Sequence, residues 1–115
     1  MFESINRKQF IALLLLQAAE VDYHFAKEEK EYILTFVSEE TMINLLLLSN
    51  SHRLACHAFL KENINTFFPT SVEKRELKNI LLKLFLSDRS YNQFERTFME
   101  YFREEFIGNA AAANL

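Results

Sequence analysis

Two segments carry the same chemistry-bearing pattern 66 positions apart: Asp22-x-x-Phe25-x-x-x-Glu29 and Asp88-x-x-Tyr91-x-x-x-Glu95, each behind a run of leucines. Four carboxylates at equivalent points of two helix-loop-helix units could converge inside one bundle. An oxygen-only ligand set of this kind suits a hard divalent cation, Ca²⁺, Mg²⁺ or Mn²⁺, better than Zn²⁺. The same acids have a purely structural use. Glu95 stands three residues after Asn92, so a capping box accounts for it with no metal. Glu29 has only half of such a box, because Ala26 offers no capping oxygen. The aspartates fall at expected helix C-termini, where the macrodipole disfavours an anion by roughly 0.3–1 kcal/mol. A cation would compensate, and so would the free N–H groups at the start of the next helix. At the level of sequence both roles stay open.

A second constellation is weaker. His52 and Cys56 have the i, i+4 spacing that grips a transition metal on a helix, but there is no second cysteine and His24 is remote in sequence. His57 beside Cys56 imitates a nucleophile and base, yet adjacent residues on a helix point about 100° apart. These are read as partly exposed histidines next to a buried thiol. The glycine-dependent chemistries are excluded, because Gly108 is the sole glycine and neither a P-loop nor a Gly-rich dinucleotide turn can be built. No His-Glu-x-x-His or Glu-x-x-His motif occurs either. The chain is not read as an enzyme.

The elements that must position the acids are helices. Half of the 115 residues are apolar, with one Gly and one Pro, a shortage of turn formers that argues for an all-α bundle of about six helices. Asn6 with Gln9 has capping-box spacing, and Ile5 with Phe10 supplies a hydrophobic staple, so a first helix is expected over residues 7–22. Residues 11–16 are apolar on every side, which marks a central helix. A second helix over 26–37 should bury Phe25, Tyr32, Ile33, Phe36 and Val37 and turn Lys27, Glu28, Lys30 and Glu31 to water. Ser38 with Glu39 and Glu40 starts a short apolar third helix over 42–48, which Ser49-Asn50-Ser51 should break. A fourth is expected to carry Leu54, Ala58 and Cys56 inward before residues 63–69 close it. Thr70 to Glu73 is a second capping box opening a long fifth helix to Asp88. The sixth, residues 92–107, has the core-facing aromatic stripe Phe94, Phe98, Tyr101, Phe102 and Phe106. A domain over 1–108 and a flexible tail over 109–115 complete the expectation.

A chain of this length buries about two thirds of its unfolded surface, enough for one core. A net charge of -3 with no basic run lacks the footprint of a nucleic-acid binder. Cys56 is alone, as expected of a buried thiol in a reducing compartment. Arg7-Lys8 ahead of residues 10–16 and Ala18-Ala19 loosely imitates a secretory signal, but there is no Ala-x-Ala, and the stretch is short of the ~20 residues that span a bilayer. A cytoplasmic, soluble protein without membrane insertion is expected. Its partner is expected to be another protein, with a homodimer left open.

Superposing the two copies pairs Leu14 to Leu16 with Ile80 to Leu82, Asp22 with Asp88, Phe25 with Tyr91, Glu29 with Glu95, Lys30 with Arg96 and Phe36 with Phe102. The pseudo-repeats then cover about 7–37 and 71–107. In these residues the chain resembles the TerB-like (tellurite-resistance protein B) family, whose repeated signature is a small-apolar run, Asp-Gly, an aliphatic residue and a Glu about seven positions after the Asp. The resemblance implies a compact helical bundle, a divalent-metal site at Asp22, Glu29, Asp88 and Glu95, and an accessory role in stress responses. Tyr23 and Arg89 stand where that family has Gly, which implies a different loop after each aspartate. The rival expectation is a docking module without metal, in which the acids are caps and the working surface is residues 42–48 or the Phe67-Phe68 turn.

Overall fold

The computed structural model describes residues 2, 4–19, 26–87, 96, 99, 100, 102 and 103. They form helices joined by short connections, with no strand among them. Five helices follow in order: α1 (Arg7–Ala19), α2 (Lys27–Ile33), α3 (Glu39–Ser51), α4 (Arg53–Phe67) and α5 (Ser71–Leu86). Most of the expected sixth helix, and all of the expected tail, lie outside the described residues. Met99 and Phe102 are nevertheless buried in the same core as the five helices.

α1 is the centre, for the reason its sequence implies. Phe10 to Leu16, Ala18 and Ala19 are all buried. A helix that is apolar around its whole circumference needs neighbours on every side, and α1 packs against α2, α3, α4 and α5. Each buried leucine contributes about 1.5–3 kcal/mol relative to an exposed one. The N-terminus of α1 is fixed by a reciprocal box: the Asn6 N–H donates to Gln9 Oε1 at 2.9 Å and the Gln9 N–H to Asn6 Oδ1 at 2.9 Å. Arg7, the first residue of the helix, lies over the Phe68 ring at 4.5 Å and reaches Glu73 at 3.7 Å and Glu76 at 4.0 Å. One guanidinium thus ties α1 to the start of α5.

α2 ends at Ile33, four residues short of the sequence expectation. The Thr35 hydroxyl donates to the Tyr32 carbonyl at 2.7 Å, and the N–H groups of Thr35 and Phe36 each reach three residues back at 3.0 Å. A threonine competing for backbone acceptors tightens the last turn into 3₁₀ geometry and stops the helix. Tyr32 and Phe36 stay half-buried, meeting edge to face at 5.4 Å. Ser38 then caps α3, its Oγ accepting from the Thr41 N–H at 3.2 Å.

Two further expectations need correction. Ser49-Asn50-Ser51 does not break α3, because Ser49 is a core position, fully buried and in contact with Gln17 Nε2 of α1 at 3.4 Å. The break comes at His52 (φ -137°, ψ 53°). It is slight, since His52 still donates to the Leu48 carbonyl and accepts from the Cys56 N–H, both at 2.9 Å. Cys56 is buried as expected, but α4 otherwise presents a different face. Cys56, Leu60 and Ile64 are buried, whereas Leu54 and Ala58 are exposed. Residues 63–67 extend the helix instead of closing it.

α5 opens on Thr70, whose Oγ1 accepts from the Glu73 N–H at 3.1 Å. The return half of this box runs side chain to side chain, Thr70 Oγ1 to Glu73 Oε1 at 3.0 Å. Lys74 is buried along its stem, and its ammonium donates to the Pro69 carbonyl at 3.4 Å. The Cα radius of gyration, 13.3 Å, is that of a close-packed chain of this length, about 13 Å. Among the described residues no helix is long and apolar enough to cross a membrane.

Candidate functional site

Of the four acids singled out by spacing, only Glu29 is described; Asp22, Asp88 and Glu95 lie outside the described residues. Glu29 occupies the third position of α2, one turn after Ala26, whose extended backbone (φ -68°, ψ 154°) marks the helix boundary. Its neighbours Lys27, Glu28, Lys30 and Glu31 are exposed, as the pattern of the helix requires. Glu29 itself turns inward and is 1% exposed. A carboxylate at that depth is costly unless its oxygens are hydrogen-bonded.

Part of that compensation is explicit. The Ala26 N–H donates to Glu29 Oε1 at 3.0 Å, a bond buried from solvent. It satisfies one of the orphan donors of the helix start, and the first turn is where the helix dipole favours an anion. Ala26 returns nothing, since a methyl group accepts no hydrogen bond, so this is the half-box expected from the sequence. The exposed pairs Lys27–Glu31 at 3.9 Å and Lys30–Glu39 at 3.8 Å flank it without entering the interior. No group of three or more His, Cys, Asp and Glu side chains that could hold a metal occurs among the described residues.

Among the described residues, His52, Cys56 and His57 belong to no group that could hold a metal. His52 is exposed at the α3–α4 junction, while Cys56 is buried with its Sγ 3.7 Å from the Leu48 carbonyl. His57 is half-buried one position along α4.

The two proposed docking surfaces divide differently. The Phe67-Phe68 turn belongs to the interior: Phe68 is buried, and Phe10 lies 4.8 Å from Phe67 and 6.0 Å from Phe68 between ring centroids. Its aromatic contacts continue through Phe59 to Phe2, which stack at 4.4 Å. Residues 42–48 split between two faces. Met42 and Leu45 point inward with Ser49, while Ile43 and Leu47, one turn apart, are 45% and 59% exposed. Leu54, just beyond the His52 junction, is 84% exposed. Four consecutive leucines carry no period, which is why sequence alone did not reveal which of them faces water. A usable signal was the inward phase Met42, Leu45, Ser49, at i, i+3 and i+7.

Comparison of the chain with protein-family models, curated proteins and solved structures gives no match.

Proposed function

We propose that this chain is a small, non-enzymatic helical accessory module that docks onto a protein partner, with its inward acid serving the backbone and no cation required. The observation that carries the reading is the run of exposed aliphatic side chains along α3 and into α4: Ile43, Leu47 and Leu54. Each stands on a helix whose opposite face fills the core, so exposure here is not a sign of poor packing. Single exposed leucines are ordinary; on this reading the three, carried by consecutive helices, form one ridge that a partner covers. Glu29 supports the same reading, because its bond to the Ala26 N–H gives the carboxylate a structural use.

The two-copy architecture and the TerB-like relationship belong to this proposal. In their support, α1 and α5 are adjacent leucine-rich helices, and the paired residues Leu15 and Leu81 are both fully buried. On this reading a sixth helix completes the second copy, the module works in the cytoplasm, and its context is a stress response. Cation binding by Asp22, Glu29, Asp88 and Glu95 is the competing reading.

The test is a parallel pull-down from cell extract with the wild-type chain, the Leu47→Lys/Leu54→Lys variant and a Lys83→Glu control. A species retained by wild type and control but lost with the ridge variant supports docking there. Sedimentation of wild type against the ridge variant shows whether that species is a second copy. Identical retention by all three removes the ridge as the working surface.

A further inference from the structure

A groove of about 370 Å³ lies between α5 and the C-terminal segment, lined by Lys78, Leu82, Arg96, Met99, Glu100 and Arg103. Its composition runs against that of the chain, whose net charge is -3. Among the described residues, three cations and one acid accompany half-buried Leu82 and buried Met99.

The spacing explains how these groups come together. Lys78 and Leu82 are one turn apart on α5, while Arg96, Met99, Glu100 and Arg103 stand at i, i+3, i+4 and i+7 in the sequence, a helical spacing. Residues of α5 and of the C-terminal segment therefore line one groove, Met99 buried and Arg96 and Arg103 exposed. The acids of α5 are not part of this lining. Glu73 and Glu76 are engaged by Arg7 on the side facing α1. Glu100 is the one acid among the described residues that line the groove. Lys78 and Arg103 have no ion pair among the described residues, and Lys74, one turn before Lys78, is turned to the Pro69 carbonyl. The volume falls within the ~300–1,000 Å³ range of small-molecule sites, in which a few polar groups orient a ligand over an apolar floor.

We propose that this groove binds a small organic anion, a carboxylate or phosphate head held by Lys78 and Arg103 with an apolar body lying on Leu82 and Met99. The proposal is independent of docking at α3 and α4, which lie elsewhere on the chain. The two heads share one chemistry, so the experiment separates them.

Phenyl phosphate, decanoate and inorganic phosphate are titrated separately into the full chain, followed by amide chemical shifts. One or both of the amphiphilic anions should saturate below ~10 mM and perturb residues around Lys78, Leu82 and Met99. Inorganic phosphate should bind about tenfold more weakly than phenyl phosphate, since it gains nothing from the floor. Binding should weaken as salt rises from about 50 to about 200 mM, because the exposed arginines are screened. The Lys78→Gln/Arg103→Gln variant should lose about tenfold or more in affinity, and Glu100→Gln should tighten binding. The gain in Glu100→Gln is a direction that impaired folding cannot imitate. Failure of both amphiphiles to saturate, saturation by phenyl phosphate no tighter than by inorganic phosphate, or unchanged affinity in both variants would overturn the assignment.

Discussion

The starts of α2 and α5 solve the same problem in opposite surroundings. Both place a glutamate at the third helical position, Glu29 and Glu73. At α5 the cap is Thr70, the pair stays near the surface, and the glutamate is shared with Arg7. At α2 the cap residue is Ala26, the glutamate is 1% exposed, and the bond between them is buried. A surface cap has water as a fallback, so losing it costs the net value of one hydrogen bond. A buried cap has none, and losing it exposes the full desolvation penalty of the orphaned donor. The same sequence device is therefore a modest stabiliser in one place and a core constraint in the other.

The sharpest way to break this comparison is Glu29→Ala. It should cost about 1–3 kcal/mol in denaturant unfolding, the penalty for an unsatisfied buried N–H, with the lost packing in addition. Thr70→Ala, measured in the same way, should cost less, about 1 kcal/mol. An equal or larger loss at Thr70 would contradict the distinction between the two ends. Ala26→Ser asks whether the missing half of the buried box can be supplied. With a hydroxyl at the cap position, a gain of about 0.5–1 kcal/mol is expected in the same measurement.

Further along α2, burial raises the Tyr32 pKa above its ordinary 10.0. The unfolded chain then loses this phenolic proton first, so the contribution is intact below pH 10.0 and is lost as pH rises through the higher folded value. Tyr32→Phe should flatten that alkaline loss, which melts at stepped pH would reveal. Leu54→Lys should have the smallest effect, within about 0.5 kcal/mol, because the side chain has almost no packing to lose. A larger destabilisation would mean that Leu54 is covered in the free chain, against its role in docking.

The parts legible in the sequence share a local cause. The Asn6/Gln9 and Thr70/Glu73 boxes, the Ser38 cap and the all-round apolar α1 are each written in three to seven neighbouring residues, and each is present. The half-box at Glu29 was legible for the same reason, because the missing oxygen at Ala26 is a property of one residue. What escaped depended on partners distant in the chain. Ser49 looks like a helix breaker until Gln17 is placed beside it, and Phe68 looks like an exposed turn until Phe10 and Arg7 enclose it. On α4 the inward placement of Cys56 holds and that of Leu54 and Ala58 does not, because one short apolar stretch does not fix the phase of the helix.

The central claim, that Glu29 serves the backbone rather than a cation, is tested most directly by melting chelator-stripped protein with Ca²⁺, Mg²⁺ or Mn²⁺ added separately, beside Glu29→Gln and Glu29→Ala. The account predicts no shift of the wild-type melt by any of these cations, a small loss for Glu29→Gln, which keeps an acceptor oxygen, and a larger one for Glu29→Ala. A cation at about 100 times its dissociation constant would stabilise a genuine site by about 2.7 kcal/mol, on the order of 10 °C for a chain of this size. A shift of that size in the wild type, abolished in Glu29→Gln, would contradict the account and make the carboxylate a ligand.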